Sequence, residues 1–168
     1  MRKLQFKKQC RAMCNGGAIA GACLLTAVWF IVLGIVGSPR LILHLVSECI
    51  WVSPSWLFLI LAVLFYVLCG MGIGTALFDR RCSSLVGTYR GAFFFSIGMT
   101  LSYLWYALFF GARYLLPAAF LSLLSCTCLI ITIINFRKIM IRSAKLIGIG
   151  AGIMAYFCTL TIFSFFFL

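Results

Sequence analysis

The sequence predicts an all-α integral membrane protein, a five-transmembrane-helix bundle that forms a single membrane domain over residues 1–168. Composition is the first observation behind this prediction: 65% of the 168 residues are hydrophobic and only 10% are charged. A soluble domain is nearer to half apolar and a quarter charged. The second is a mean hydropathy of +1.19. The third is that apolar runs of about 20 residues, enough to cross a hydrocarbon core, fill most of the chain.

Charged residues and turn-forming residues divide this apolar sequence into five predicted spans. A basic segment, residues 1–15, precedes the first span and is predicted to be cytoplasmic. The first span ends at the Gly-Ser-Pro-Arg sequence of residues 37–40, and the second ends at the Asp-Arg-Arg sequence of residues 79–81. Charge exclusion then predicts spans at about 16–36, 55–78, 91–110, 115–136 and 146–168.

The boundary between the third and fourth spans rests on a separate argument. Residues 91–136 form a nearly unbroken apolar stretch, about twice the length that one crossing requires. Its interior holds a single charge, Arg113, with Gly111 before it and Pro117 after it. Glycine and proline mark turns, so these residues predict a tight hairpin between two spans.

The basic residues predict the orientation of the bundle. Of the 14 Lys and Arg residues, only Arg40 and Arg113 lie in the first and third loops, and the other 12 lie at the opposite ends of the spans. Cytoplasmic loops are enriched in Lys and Arg, so we expect a cytoplasmic amino terminus and an outward-facing carboxyl terminus, in a bacterial cell membrane. Membrane lipids are expected partners, because these cations attract anionic head groups.

The placement of polar residues excludes several classes of function. The net charge of +12 is spread over helix ends rather than along one face, which excludes a nucleic-acid partner. No ionisable Asp, Glu, His, Lys or Arg lies within a predicted span, which argues against a transporter that uses a buried carboxylate. His44, Glu48 and Cys49 lack a fuller ligand set, so no metal site is predicted. With no nucleophile–base pair and no phosphate loop, we expect no enzyme and no required cofactor.

Glycines four residues apart indicate close helix packing. This spacing of small residues lets two helix backbones approach each other within a membrane. Packing inside the bundle is the favoured interpretation, and a homodimer seam is the alternative. The pairs in the second and fifth spans are Gly70 with Gly74 and Gly148 with Gly152, and Gly17 with Gly21 repeats the pattern in the first span.

Aromatic residues crowd the end of the third span. Trp105 and Phe109 are four residues apart, as are Tyr106 and Phe110, so two stripes of one helix are aromatic. An interfacial belt with core filling explains the pattern as well as a wall for a flat apolar ligand does. Periodicity alone leaves both interpretations open.

Two motifs resemble the TspO/MBR family (tryptophan-rich sensory protein and translocator protein, the peripheral benzodiazepine receptor family). The second span starts Pro-Ser-Trp-Leu-Phe at residues 54–58, with Tyr66 ten residues after Trp56 and Gly70 four further on. The Leu-Trp-Tyr-Ala-Leu-Phe-Phe-Gly sequence of residues 104–111 and the apolar end of the fourth span are also similar, and the resemblance covers roughly residues 54–168. The chain departs from the family where Ala62 and Met154 occupy positions that hold tryptophan in its members.

The resemblance implies a TspO-like bundle with a pocket that opens toward one face. Members bind apolar ligands such as porphyrins, haem and sterols, and act as sensors, receptors, regulators or transporters. An apolar small molecule, with a tetrapyrrole as one candidate, is therefore an expected partner, and the homodimer alternative remains open. A ligand-free structural or accessory protein that packs with a partner is the alternative function. The residues implied to line the ligand site are Trp56, Phe58, Tyr66, Ser102, Trp105, Phe109 and Met154, with orienting hydrogen bonds from Tyr66 and Ser102.

Overall fold

The computed structural model is all-helical and describes residues 2–36, 55–78, 85–112 and 114–167. In the first helix the described side chains begin at Asn15, and in the second they begin at Leu57. The helices are α1 (Arg2–Val36), α2 (Ser55–Phe78), α3 (Leu85–Tyr106), α4 (Leu115–Arg137) and α5 (Ile141–Phe167). A π-helical segment, Ala107–Ala112, continues α3 without a break.

Each of the five helices is long and apolar enough to cross a membrane, which confirms the predicted all-α chain with five such helices. The third and fifth apolar stretches, Val86–Gly111 and Ile141–Phe166, begin about five residues earlier than predicted. The difference arises at the basic residues near the start of these helices, because Arg90, Arg142 and Lys145 lie within the helices and have exposed side chains. Long basic side chains extend toward water from the end of a span, so charge exclusion placed these boundaries too far along the chain.

The connections at α4 are short. The π-helical segment ends at Ala112 and α4 begins at Leu115, so Gly111 and Pro117, which predict a hairpin, lie within the helical segments on either side of it. Arg113 lies outside the described residues. Pro117 falls in the first turn of α4, where a missing backbone N–H costs no helical hydrogen bond. At the other end, the N–H groups of Ile139 and Met140 donate to the carbonyl of Phe136, over 3.0 and 2.6 Å, and so form a tight turn into α5.

The order in which the helices pack differs from their order in the chain. α1 packs on α2, α2 on α5, α5 on α4, and α4 on α3. The two ends of this series, α1 and α3, meet mainly where the π-helical segment reaches α1. The boundary between α1 and α3, called here the α1–α3 seam, is therefore thinly packed.

Successive helices run in opposite directions, so the bundle has two dissimilar halves. The aromatic half contains the end of α1, the start of α2, the end of α3 with its π-helical segment, the start of α4 and the end of α5; most of the buried rings lie there. The glycine half contains the opposite helix ends. The basic residues with described side chains are all exposed and lie in the glycine half: Arg90, Arg137, Lys138, Arg142 and Lys145.

Glycines bring the backbone of α2 against α1. A Cβ atom added to Gly70 would lie 2.7 Å from the Cα of Ala22, and one added to Gly74 would lie 3.1 Å from the Cα of Ala18. The closest atoms to these two positions are the backbone oxygens of Gly21 and Gly17. Gly70 and Gly74 therefore pack inside the bundle, where close approach maximises van der Waals contact.

The glycine pair of α5 does not make the close helix contact that its four-residue spacing predicts. Gly148 and Gly152 have no heavy atom within 4 Å of an added Cβ, so packing among the described residues does not account for them. Gly150, on another face of α5, approaches α2 instead: its added Cβ would lie 2.6 Å from the Sγ of Cys69. On α2, Gly72 faces α5 in the same way, with its added Cβ 2.5 Å from Ile147 Cγ1.

Candidate functional site

Residues predicted to line a ligand site come together in the aromatic half. Phe58, Tyr66, Ser102, Trp105 and Met154 are buried there, and Phe109 is partly buried. They come from α2, from α3 with its π-helical segment, and from α5. Trp56 lies in the first turn of α2, and its side chain falls outside the described part of the chain.

Trp105 joins α3 to α5 through stacking and one hydrogen bond. Its ring stacks on Phe157 with centroids 5.5 Å apart and planes 14° apart, and on Phe109 at 5.7 Å and 24°. Its Nε1–H donates to Thr161 Oγ1 over 3.0 Å. A buried indole N–H normally finds such an acceptor, so this bond fixes both the depth and the orientation of the ring.

Phe58 extends this layer of rings to α2. Its centroid lies 4.9 Å from that of Phe157 on α5 and 5.4 Å from that of Phe110 in the π-helical segment. The interplanar angles are 45° and 67°, within the tilted and edge-on range that aromatic quadrupoles favour. Three helices therefore contribute to one continuous aromatic cluster.

Tyr66 and Ser102, predicted to supply orienting hydrogen bonds, are neighbours. The two hydroxyls lie within hydrogen-bonding reach, and Ser102 Oγ donates in turn to the Met99 carbonyl over 2.7 Å. The Tyr66 ring also stacks on Tyr103 with centroids 5.0 Å apart and planes 2° apart. These contacts hold Tyr66 in one orientation within the bundle.

Side chains of α1 and α3 close the α1–α3 seam. Trp29 on α1 lies 6.1 Å from Tyr106 on α3 and 5.7 Å from Tyr66 on α2, measured between ring centroids. The Tyr103 hydroxyl donates to the Leu25 carbonyl over 3.0 Å and so bonds α3 to the backbone of α1. Sequence reasoning missed Trp29. The available signal was a tryptophan in the middle of an apolar run, since tryptophan in membrane helices is commoner at the interface.

Ala62 and Met154, where the resemblance places tryptophans, belong to the same core. They are 2% and 0% exposed, respectively. The neighbouring rings of Phe58, Trp105 and Phe157 are in direct contact with one another. A ligand as large as a tetrapyrrole therefore has to part these rings when it binds.

Neutral groups make up the interior of the described bundle. Its buried polar residues are serines and threonines, and its other hydrogen-bonding groups are tyrosine hydroxyls, indole N–H groups and cysteine thiols. No group of three or more His, Cys, Asp and Glu suited to a metal ion lies among the described residues. Such an interior offers ring faces and a few neutral hydrogen bonds, which suit an apolar ligand.

One surface groove lies along α2. It has a volume of about 360 Å³ and is lined by Leu59, Ile60, Val63, Leu64 and Val67. The lining is almost entirely apolar, and Ile60 and Leu64 are exposed. In a membrane-spanning helix, such a stripe is suited to contact with acyl chains.

Comparison with family models, with curated proteins and with solved structures yields no match for the chain. The resemblance to the TspO/MBR family therefore stays a prediction from the sequence motifs.

Proposed function

We propose that this chain is a TspO-like multi-pass membrane protein that binds an apolar ligand in its aromatic half. The ligand is of the porphyrin, haem or sterol type, and its binding serves sensing, regulation or transport. The observation that carries the proposal is convergence: Phe58, Tyr66, Ser102, Trp105 and Met154 come from three helices and are buried in one region. The resemblance to the TspO/MBR family implies the same five residues as part of the lining of the ligand site.

The chemistry of the cluster supports this proposal. Aromatic rings supply flat apolar area, and the few polar groups that accompany them fix the orientation of a ligand. The thin α1–α3 seam supplies a route, because parting α1 from α3 disrupts fewer contacts than parting any pair of helices adjacent in the packing series. A lipid-soluble ligand then enters from the bilayer between α1 and α3.

Titration of the purified protein in nanodiscs tests the proposal. Protoporphyrin IX, haem and cholesterol are added separately; the porphyrin absorbance band follows the first two ligands, and radiolabelled cholesterol that stays with the protein follows the third. We expect saturable binding of at least one ligand, lost when Trp105→Ala and Tyr66→Ala are combined. The matched control combines Phe93→Ala with Phe120→Ala, at rings that are 64% and 66% exposed.

Two outcomes would reject ligand binding at this site. One is the absence of saturable binding for all three ligands. The other is unchanged binding in the variant that lacks Trp105 and Tyr66. Since that variant removes buried rings, its helical content and thermal unfolding are measured alongside, and Trp105→Phe with Tyr66→Phe replaces it if it does not fold.

The direct ring contacts favour a second candidate function. Trp105, Phe109 and Phe157 stack at 5.5 to 5.7 Å, as in an ordinary filled core. In this alternative the chain is a ligand-free structural or accessory membrane protein. It then binds none of the three ligands and, after mild solubilisation, elutes in a complex larger than the chain alone on size-exclusion chromatography.

A further inference from the structure

Two buried hydrogen-bond donors at the α1–α3 seam lack an acceptor in the part of the chain that the structure describes. Trp29 Nε1 and the Tyr106 hydroxyl are both buried, and neither has a hydrogen-bond partner among the described residues. Each residue is only 1% exposed. Their rings meet edge to face, with centroids 6.1 Å apart and planes at 72°, so the two residues that carry the donors are in contact.

Three other polar side chains of the aromatic cluster have a partner. Trp105 Nε1 donates to Thr161, and the Tyr103 hydroxyl donates to the Leu25 carbonyl. The Tyr66 hydroxyl has Ser102 within reach. Buried polar groups are nearly always paired in proteins, and the hydrocarbon core around a membrane bundle supplies no acceptors. The two unpaired donors therefore mark a local feature of the seam.

The backbone next to Tyr106 is unusual as well. The π-helical segment Ala107–Ala112 begins immediately after this residue, and such segments often occur at functional sites. On the outer surface, the ring centroid of Phe30 lies 5.0 Å from that of Trp29, and Phe30 is 57% exposed. An apolar molecule that approaches α1 from the bilayer meets Phe30 beside Trp29.

We propose that the α1–α3 seam binds a neutral apolar molecule through a carbonyl or ester oxygen, which accepts hydrogen bonds from Trp29 Nε1 and the Tyr106 hydroxyl. An indole N–H only donates, so the ligand has to supply an acceptor. The acceptor is neutral because no charged side chain is among the buried residues of the described core, and an unpaired buried charge is costly. This inference rests on the proposed function and narrows its ligand class to neutral molecules that carry a carbonyl or ester oxygen, such as a sterol ketone or ester. The carboxylates of porphyrin and haem do not suit the seam.

An acceptor of this kind has two sources: the glycerol ester of a membrane lipid, or a free ligand. The free-ligand arm uses nanodiscs of ether-linked phosphatidylcholine, which lacks ester carbonyls. Benzophenone is titrated against diphenylmethane, which has the same two rings and no oxygen, with correction for partition into lipid. We expect benzophenone to bind about tenfold more tightly than diphenylmethane, because benzophenone makes one or two hydrogen bonds that diphenylmethane cannot make.

The variant that combines Trp29→Phe with Tyr106→Phe should lose this preference for benzophenone and still bind diphenylmethane. Tyr89→Phe, at a ring that is 71% exposed, is the control and should keep the preference.

The lipid arm uses no added ligand. The indole N–H resonance of Trp29 is followed by NMR in ester-linked and in ether-linked phosphatidylcholine, and Trp29→Phe assigns the signal. A downfield shift in ester lipid alone supports the inference and identifies lipid as the source. A shift that requires benzophenone supports it and identifies a free ligand.

Equal affinity for benzophenone and diphenylmethane, with a Trp29 signal that neither lipid nor ketone moves, overturns the inference. That result differs from failure of the proposed function, in which protoporphyrin IX, haem and cholesterol all fail to bind. Both substitutions keep an aromatic ring at each position, so the variant tests hydrogen bonding rather than ring packing.

Discussion

The two halves of the bundle hold their helices together by opposite means. In the glycine half, Gly70 and Gly74 remove side-chain volume so that α2 meets the backbone of α1. In the aromatic half, large rings such as Trp105 and Phe58 span the wider spaces between helices. Lipid provides little hydrophobic force between helices, so each half depends on contact area, reached either by close approach or by filling the gap.

This difference has consequences for mobility. An atom added to Gly70 or Gly74 in the glycine half meets the backbone of α1, which cannot move without displacing a helix. A change in the aromatic half meets side chains, which can adopt other rotamers. The half suited to ligand binding is therefore the one in which side chains rather than backbones maintain the spacing, and graded substitutions in the two halves test this contrast.

The largest expected effect follows from Gly74→Ala. The new Cβ would overlap the backbone oxygen of Gly17 and force α1 away from α2. We expect the free energy of unfolding to fall by about 3 kcal/mol, the upper part of the range for overpacking, because backbone rather than side chain has to yield. Denaturant titration in mixed micelles, followed by circular dichroism, measures it.

Gly34→Ala on α1 is the matched control. Nothing lies within 4 Å of its added Cβ, so the substitution should be neutral or slightly stabilising. If Gly74→Ala proved as harmless as Gly34→Ala, the close backbone contact of the glycine half would be refuted.

Loss of the Trp105–Thr161 bond should have the next largest effect. Thr161→Val keeps the shape of the side chain and leaves Trp105 Nε1 without an acceptor. An unsatisfied buried donor costs about 1–3 kcal/mol, so we expect a loss of about 2 kcal/mol. Thr161→Ser keeps the hydroxyl and serves as the control; the same unfolding titration applies, and equal stability of the two variants would contradict the assigned bond.

The sequence predicted the positions of the helices better than it predicted which helices pack against each other. Hydropathy identified five apolar spans, because each span is a local feature of composition. The bond between Trp105 and Thr161 joins residues 56 positions apart, and nothing within either span indicates that α3 reaches α5. Trp29 was not predicted either, because its role depends on contacts with Tyr66 and Tyr106, which are distant in the sequence.

Glycine spacing illustrates the same limit. Gly70 with Gly74 and Gly148 with Gly152 share one pattern, yet only the first pair contacts a neighbouring helix among the described residues. Spacing indicates that two glycines share a helix face but does not indicate what that face meets. Gly72 and Gly150, which make close contacts between α2 and α5, lie on faces that the four-residue pattern did not identify.

A smaller effect should follow from Tyr103→Phe at the α1–α3 seam. The substitution removes the hydrogen bond to the Leu25 carbonyl and keeps the ring stacked on Tyr66. We expect a loss of about 1 kcal/mol, the typical net contribution of one hydrogen bond. Hydrogen exchange at the end of α1 should rise with it, and Tyr89→Phe at an exposed ring should change neither quantity. Unchanged exchange in α1 would mean that side-chain bonding does not hold the seam closed.

The smallest expected effect belongs to Gly148→Ala and Gly152→Ala. Each added methyl group meets open space, and alanine favours the helix slightly, so the free energy of unfolding should change by less than about 0.5 kcal/mol. Gly74→Ala is the same chemical change, and only the surroundings of the glycine differ. This comparison is therefore the strictest test of whether close backbone contact is confined to particular glycines.

Repeating the titration over a range of protein-to-detergent ratios separates the two interpretations of the face that carries Gly148 and Gly152. Destabilisation that grows as the protein is concentrated would show a second chain against α5 and support the homodimer seam, the alternative interpretation of the spacing. Neutrality at every concentration would leave this face in contact with lipid.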